Sequence, residues 1–334
     1  MPESRKLYDL VVYGATGYTG QFVTEEVAKV ASLEQKKGQS LTWAVAGRKQ
    51  RKAFKCFDLE NIPIIEADNT RKETLSEMAS KATVVINCVG PYQLYGEDVV
   101  KACIENGANH VDISGEPQGR EREAGVCGWV LVMLVKSIIH KNSDVNLWCF
   151  PFPNDEPSVN RSQRYLHDVK GLHPIQYDGF AGFTSFCQTF GVIIGALYFL
   201  SFCLFGWTRN LLLKYPEIIT FGTFSRAGPS RESLVKVSFT TTLIGEGWKE
   251  KLSESSDSYT TPPDSKVKVS ITGPDPAYSA TSLMLVASAM TLLREKSSCE
   301  KRGGVLSPGV TFMNTDIVDR LVERGMKISY EEIK

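Results

Sequence analysis

Tyr8-Asp-Leu-Val-Val-Tyr-Gly14-Ala15-Thr16-Gly17-Tyr18-Thr19-Gly20-Gln-Phe22-Val23 is the stretch on which the reading of this chain turns. The apolar run 10–13 meets Gly14-x-x-Gly17-x-x-Gly20 at once. Apolar residues at helical spacing follow at Phe22, Val23, Val27 and Val30. The order is strand, glycine turn, helix. Such a turn aims the backbone N–H groups of a helix N-terminus at an anionic ligand. Gly14 suits the sharp exit from the strand, Gly17 lets the backbone come close to a pyrophosphate, and Gly20 lets the helix pack against the sheet. An ordinary strand-to-helix turn is the plainer alternative, but the position between a strand and a helix is the context in which this spacing signals a dinucleotide site.

Downstream, apolar strand patterns at 41–46, 62–66, 83–89 and 110–113 alternate with helical patterns at 73–80 and 97–106, the last ended by Gly107. Alternation at this spacing predicts βαβ units and a parallel sheet. Ligands of such sheets lie beyond the carboxyl ends of the strands, so the loops there carry the candidate residues. The second strand ends in Gly47-Arg48-Lys49, with Arg51 and Lys52 close behind and no acidic residue to meet a free ribose 2′-hydroxyl. Arg48 is placed to hold a 2′-phosphate, an interaction of about 1.5–3 kcal/mol. That favours NADP over NAD by roughly 10- to 100-fold; a solvated basic turn is the alternative. Asp68, after the third strand, either accepts from an adenine amino group or caps the next helix. Val89, Gly90 and Pro91 follow the fourth strand, where the nicotinamide half of a dinucleotide lies. The cofactor set is thus Gly14, Ala15, Thr16, Gly17, Tyr18, Thr19, Gly20, Arg48, Asp68, Val89, Gly90 and Pro91. Tyr92 and Tyr95 either stack there or cap the domain. Asp112, Ser114 and Glu116 after the fifth strand are either substrate contacts or ordinary loop composition. By position, Tyr92 and Asp112 are the catalytic candidates.

Several of these stretches resemble one family. They are Val11-Val-Tyr-Gly-Ala-Thr-Gly-Tyr-Thr-Gly20, Trp43-Ala-Val-Ala-Gly-Arg48, Asn87-Cys-Val-Gly-Pro-Tyr92 and Cys103-Ile-Glu-Asn-Gly-Ala-Asn-His-Val-Asp-Ile-Ser-Gly-Glu-Pro117. Later come Arg164-Tyr-Leu166, Leu211-Leu-Leu-Lys-Tyr-Pro216, Gly273-Pro-Asp-Pro-Ala-Tyr278, Ala289-Met-Thr-Leu-Leu293 and Gly303-Gly-Val-Leu-Ser-Pro-Gly309. Together they resemble the animal saccharopine dehydrogenase-like oxidoreductases over residues 5–118 and 148–330. The resemblance implies an α/β protein: a Rossmann-type parallel-sheet domain followed by a mixed α/β domain, here truncated at its start. It implies membership of the NAD(P)-linked oxidoreductases with no firmly assigned substrate; with Arg48, NADP is expected, NAD being less favoured, and the expected substrate is a small molecule or lipid-like. It also implies lipid-droplet or membrane association and, for broader relatives, glycolipid metabolism. A homodimer is left open, as are cytoplasmic and mitochondrial locations. The expected division is 1–118 for the dinucleotide-binding domain, 119–147 for an atypical joining segment and 148–334 for the remnant of the second domain. The stretch between Arg48 and Ile62 is short for the family, and a large block is absent between Glu116 and Trp148, where 121–146 has no counterpart. A sheet without its next strand keeps an open edge. Cofactor binding is therefore expected to survive better than catalysis, and a cofactor-binding protein without activity is the alternative to an enzyme. A structural membrane protein with a vestigial first domain is the third reading.

Residues 190–207 carry no charge and reach the lower length of a membrane-spanning helix. Trp207, Arg209 and Lys214 suit an interface. The segment's three glycines and short length also fit a hairpin or interfacial anchor. Attachment to a membrane or lipid droplet and a helix buried at a domain or dimer interface are the two readings. The run 126–139, broken by Lys136, is too short to span. Beyond Lys214 the pattern predicts strands at 233–245 and 266–272, a polar loop at 249–263 and an apolar core helix at 280–294.

Composition narrows the rest. The chain has 334 residues, 42% hydrophobic and 23% charged, with 38 basic and 38 acidic residues. That balance gives no electrostatic reason to expect a nucleic acid. Eight scattered cysteines without a C-x-x-C pair, and four histidines without ligand spacing, suggest no metal site and reduced thiols in an intracellular protein. The first strand begins so early that no presequence is expected. There is no P-loop, H-E-x-x-H or G-x-S-x-G. Tyr330 to Lys334 is the one Tyr-x-x-x-Lys pair, and its position suggests chance.

Overall fold

Buried on both faces, the run Leu-Val-Val-Tyr can lie only inside a sheet, and in the computed structural model it is the central strand, β1 (Tyr8–Tyr13). The structure describes residues 6–48, 62–114, 139–152, 155–225, 228–250, 259–300 and 303–333. After the glycine turn come α1 (Tyr18–Lys36), β2 (Trp43–Gly47), β3 (Ile64–Glu66), α2 (Lys72–Lys81), β4 (Ala82–Asn87), α3 (Tyr92–Glu105) and β5 (Asn109–Asp112). The five strands are parallel in the order β3-β2-β1-β4-β5. The chain winds outward to β3 and returns to the far side of β1, so the switch point lies between the carboxyl ends of β1 and β4. The expected parallel sheet is what is seen.

Alternate side chains serve opposite faces. Val11, Tyr13 and Val85 pack with Leu75, Met78, Val99 and Cys103 of α2 and α3. Leu10, Val12, Val84 and Ile86 pack with Val23 and Val27 of α1. This second face also receives Leu285, Val286, Ala289 and Met290 from a helix near the end of the chain. The apolar core helix expected at 280–294 is therefore a layer of the N-terminal sheet.

The later elements are β6 (His140–Asn142), β7 (Leu147–Pro151), α4 (Glu156–Lys170), β8 (Phe180–Phe183), α5 (Phe186–Leu204), α6 (Gly206–Lys214), α7 (Pro216–Ile219), α8 (Arg231–Val235), β9 (Ser238–Gly247), β10 (Ser265–Pro274), α9 (Ser279–Arg294), α10 (Pro308–Thr311), α11 (Ile317–Glu323) and β11 (Lys327–Ile333). They make two antiparallel sheets, β6-β7-β8 and β11-β10-β9. α9 is the helix that docks on the N-terminal sheet, and Arg294 at its end meets Glu34 of α1 at 2.9 Å. Arg324, just beyond α11, grips Glu26 of α1, its Nε donating at 3.0 Å.

Several expectations shift. Helix α3 starts at Tyr92, not at residue 97, because Pro91 sets its N-cap and Gly96 is a buried position inside it. The strand expected from 233 starts at Ser238, because Ser230 accepts from the N–H of Ser233 at 3.2 Å and caps α8. Tyr330 lies in β11, which removes it from any helical Tyr-x-x-x-Lys arrangement. The segment 190–207 straddles α5, a break at Phe205 and the start of α6. Within the single chain this segment is not buried between domains: among the described residues of α5 only Thr189 is buried. The basic residues 49, 51 and 52, Glu116, most of 121–146, the bulk of the run 126–139 and part of the polar loop lie outside the described residues.

Candidate cofactor site

At Gly14 and Gly20 the contacts of the glycine turn leave no room for a side chain. Gly14 leaves β1 with φ +85°, and a Cβ there would stand 2.6 Å from Val89 Cγ2 and 3.2 Å from the carbonyl carbon of Cys88. The turn is thus pressed against the loop after β4, where the Cys88 N–H donates to the Tyr13 carbonyl at 2.8 Å. Gly17 is the N-cap of α1 and donates to the Gly14 carbonyl at 2.9 Å. A Cβ on Gly20 would invade the Gly14 carbonyl oxygen and stand 2.8 Å from its carbon. Gly20 therefore serves the closeness of the helix to the turn itself, rather than to the sheet as expected from the sequence.

This collapse brings forward the N–H groups of Tyr18, Thr19 and Gly20, which have no carbonyl a turn earlier to accept them. No acidic residue occupies the first turn and no side chain caps the helix. The positive end of the helix dipole is left for an anion. Backbone donors, a glycine-only approach and a missing internal carboxylate fit a dinucleotide pyrophosphate.

Arg48 and Asp68 flank the turn at the ends of β2 and β3. Asp68 Oδ1 accepts from the N–H and the hydroxyl of Thr70 at 3.0 and 2.9 Å. These bonds hold its carboxyl below the ordinary value, with Arg71 and Arg48 adding positive charge. Capping of α2 is not its role: the N-cap is Arg71, and Asp68 closes a side-chain turn before it. Tyr13 donates to Asn69 Oδ1 at 2.8 Å beneath this pair, and burial pushes its hydroxyl up to about 12.

On the other side of the turn, the ends of β4 and β5 gather Asn87, Tyr92 and Asp112. Asn87 is fully buried; its Oδ1 accepts from the Val89 N–H at 3.0 Å, and its carbonyl accepts the Tyr92 hydroxyl at 3.0 Å. Register pairs Asn87 with Asp112, whose Oδ1 accepts from the Ser114 N–H at 3.0 Å. Val89, Gly90 and Pro91 thus hang from Asn87 between Gly14 and Tyr92. Among the described residues Asn87 Nδ2 finds no acceptor, an orphan donor of the kind a bound group relieves. Asn87 was quoted in the sequence without a role; a polar residue closing the run Thr-Val-Val-Ile was the available signal.

His110 lies nearby, with Nδ1 3.7 Å from Asp112 Oδ2 and a buried Nε2 that finds no partner among the described residues. Burial pulls its imidazole below the ordinary value against the opposing pull of Asp112. The folded protein holds it neutral, whereas the unfolded chain takes up a proton near pH 6.5. Its contribution to stability is complete above about pH 6.5 and is lost as pH falls through the lowered folded value. Urea unfolding at pH 7, 6 and 5 is expected to show stability falling with acid, and His110→Gln to flatten that fall. Equal slopes in both proteins would remove His110 as the cause.

Residues from the second half close the outer side of the turn. Tyr18 packs edge-on against Tyr278, with ring centres 4.7 Å apart, and donates to the Pro229 carbonyl. Arg231 lies 4.7 Å over the Phe22 ring and pairs with Glu25 at 2.7 Å.

The structure therefore spreads the expected residues in two groups about one glycine turn, Arg48 and Asp68 on the β2–β3 side and Val89, Gly90, Pro91, Tyr92 and Asp112 on the β4–β5 side. Residues 10–128 match the family model of the saccharopine dehydrogenase NADP binding domain. Over 427 aligned positions the chain is 31% identical to the saccharopine dehydrogenase-like oxidoreductase of Homo sapiens, covering 98% of each chain. The Bos taurus protein of that name is 30% identical over the same span and coverage. The lipid droplet localized protein of Caenorhabditis elegans is 32% identical over 426 positions, covering 97% of this chain and 98% of that one. The chain belongs to the saccharopine dehydrogenase-like oxidoreductase family, and its N-terminal sheet carries that family's NADP-binding domain.

Proposed function

We propose that the chain binds NADP(H) across the switch point and acts at a lipid surface as an oxidoreductase on a small, lipid-like substrate. The observation that carries this reading is the glycine-only approach of Gly14 and Gly20 to the start of α1, with Arg48 at the end of the adjoining strand β2. Bound NADP(H) supplies hydride chemistry at the β4–β5 side. The chain's own residues bind and orient it. The N–H groups of Tyr18, Thr19 and Gly20 hold the pyrophosphate, Arg48 the 2′-phosphate, and Asp68 faces the adenine half. Val89, Gly90 and Pro91, suspended from Asn87, position the nicotinamide half. Tyr92 and Asp112 are the groups at hand for proton movement.

Titration of NADPH and NADH into the purified chain, followed by nicotinamide fluorescence, tests the site. NADPH is expected to bind more tightly, and Arg48→Ala to weaken NADPH by roughly 10- to 100-fold while sparing NADH. Tighter binding of NADH by the unmodified chain would refute the role of Arg48.

Attachment to lipid runs through the apolar segment 190–207. The exposed rings and aliphatic side chains of α5 support it, as does the name of the worm relative. Glycolipid metabolism is the reaction context drawn from broader relatives. The second reading, a cofactor-binding protein without turnover, is favoured by two observations. The alignments to relatives run over 427 positions against 334 residues in this chain, so internal sequence of the relatives has no counterpart here. The Tyr92 hydroxyl is also engaged by the Asn87 carbonyl. Tight NADPH binding with no oxidation of NADPH by aldehyde or ketone lipids would support this second reading.

A further inference from the structure

The segment 186–224 is fastened to the folded body at both ends. Trp148 of β7 packs against Phe186 with ring centres 5.2 Å apart, and its carbonyl accepts the Thr189 hydroxyl at 3.3 Å. Beyond the segment, Pro229 and Arg231 hold Tyr18 and Glu25 of α1. The chain on its two sides is one body. Asp144 pairs with Lys266 at 2.8 Å, the Ser162 and Ser307 hydroxyls meet at 2.6 Å, and Lys170 reaches Glu300 at 3.0 Å. Residues on opposite sides of a membrane cannot make these contacts.

The path between the fastenings is a lopsided hairpin. Helix α5 has 19 residues without charge, about 28 Å of rise. It breaks at Phe205, whose backbone is extended, and Thr208 Oγ1 donates to the carbonyls of Phe202 and Phe205 opened there, both at 2.7 Å. The return limb folds back on α5: Tyr198 donates to the Ile219 carbonyl at 3.3 Å, and Phe199 meets Phe224 with ring centres 5.7 Å apart. That limb opens with α6, nine residues carrying Arg209 and Lys214. It is too short and too charged to recross a hydrocarbon core of about 30 Å. Its charges and Trp207, 70% exposed, suit the headgroup level. The flanking α5 presents Phe190, Ile194 and Leu197 outward as apolar surface.

We infer that residues 186–224 are a one-sided hairpin that enters the phospholipid monolayer over neutral lipid, with α5 lying shallow and α6 at the headgroups, and that none of the described residues crosses a bilayer. This rests on the lipid attachment proposed above and adds its topology. A surface with water on only one side, as on an oil droplet, accommodates such a hairpin, whereas a spanning helix would leave its far end in oil.

The test has two arms. In the first, the full chain is mixed with triolein droplets coated with dioleoylphosphatidylcholine and, separately, with bilayer vesicles of the same phospholipid, then floated. Recovery is expected to be at least about tenfold higher on droplets, and Ile194→Lys with Leu197→Lys together to abolish it while NADPH affinity stays unchanged. Recovery unchanged by this double variant, or equal recovery on droplets and vesicles, overturns the monolayer assignment. In the second arm, the chain is synthesised with microsomes after Asn-x-Ser acceptors are inserted before Phe186 and after Phe224. Neither acceptor is expected to be glycosylated; modification of either overturns the one-sided topology while leaving lipid attachment standing. A chain that floats with nothing overturns the attachment as well.

Discussion

Gly20→Ala is expected to abolish measurable NADPH binding, with an affinity loss of at least about 100-fold, and to lower stability by about 3 kcal/mol. The added methyl would stand 2.8 Å from the Gly14 carbonyl carbon and 3.0 Å from Ala15 Cα. Both obstacles are backbone, so no side chain can swing away. Relief requires α1 to back out of the turn, which withdraws the N–H groups of Tyr18 and Thr19 from the phosphate position. Gly17→Ala is the internal comparison. Gly17 has an ordinary φ of −68°, and its Cβ would meet one atom, the Gly14 oxygen, at 3.2 Å. Its effect on NADPH should stay below about tenfold. Fluorescence titration and thermal unfolding of the two variants decide the matter; wild-type affinity in Gly20→Ala would refute the pyrophosphate cradle.

Met290→Ala is expected to cost about 2–5 kcal/mol and to unfold the N-terminal sheet with it. Met290 is 3% exposed and shares a core with Leu10, Val12, Val84 and Ile86. Truncating it leaves a void against strands far away in sequence. Met284, on the same helix but 38% exposed, serves as control, and its replacement by alanine should change stability by less than about 0.5 kcal/mol. Urea unfolding followed by both helix signal and NADPH binding is the measurement. If the Met290 variant loses less than about 1 kcal/mol, or its NADPH site melts independently of α9, the docking of that helix does not support the sheet.

The parallel sheet and its glycine turn were legible because they rest on local patterns. An apolar run such as Leu10-Val-Val-Tyr13 between Asp9 and Gly14 has few fates other than a buried strand, and Gly14-x-x-Gly17-x-x-Gly20 specifies its own turn. Arg48 and Asp68 were locatable for the same reason, since each follows a readable strand. The role of Asp68 was not, because an Asp two residues before Thr70 closes a side-chain turn as readily as it caps a helix. The start of α3 was misjudged because residues 92–96 read as the loop that follows Gly90-Pro91, whereas Pro91 caps the helix and Gly96 is buried inside it. Asn87 gains its meaning only from three dimensions: the Val89 amide, the Tyr92 hydroxyl and the register with Asp112 are separate facts of tertiary structure. The docking of α9 on β4 and β5 lay beyond periodicity, which announces an apolar face and not the partner that covers it.

Because α9 supplies a layer of the N-terminal sheet, the order of synthesis matters to this chain. Strand β4 is complete when Asn87 leaves the ribosome, but the helix that covers Val84 and Ile86 is not made until Arg294. At about 5–20 residues per second, the nascent sheet waits roughly 10–40 s for its cover. Throughout that interval the part of this face that α1 leaves uncovered stands open, and the charge-free α5 emerges before it is closed. Newly made chains should therefore depend on chaperones that shield strands until translation ends. A fragment ending near residue 118 would keep that face open permanently, so the cofactor unit is not separable from the tail of the protein.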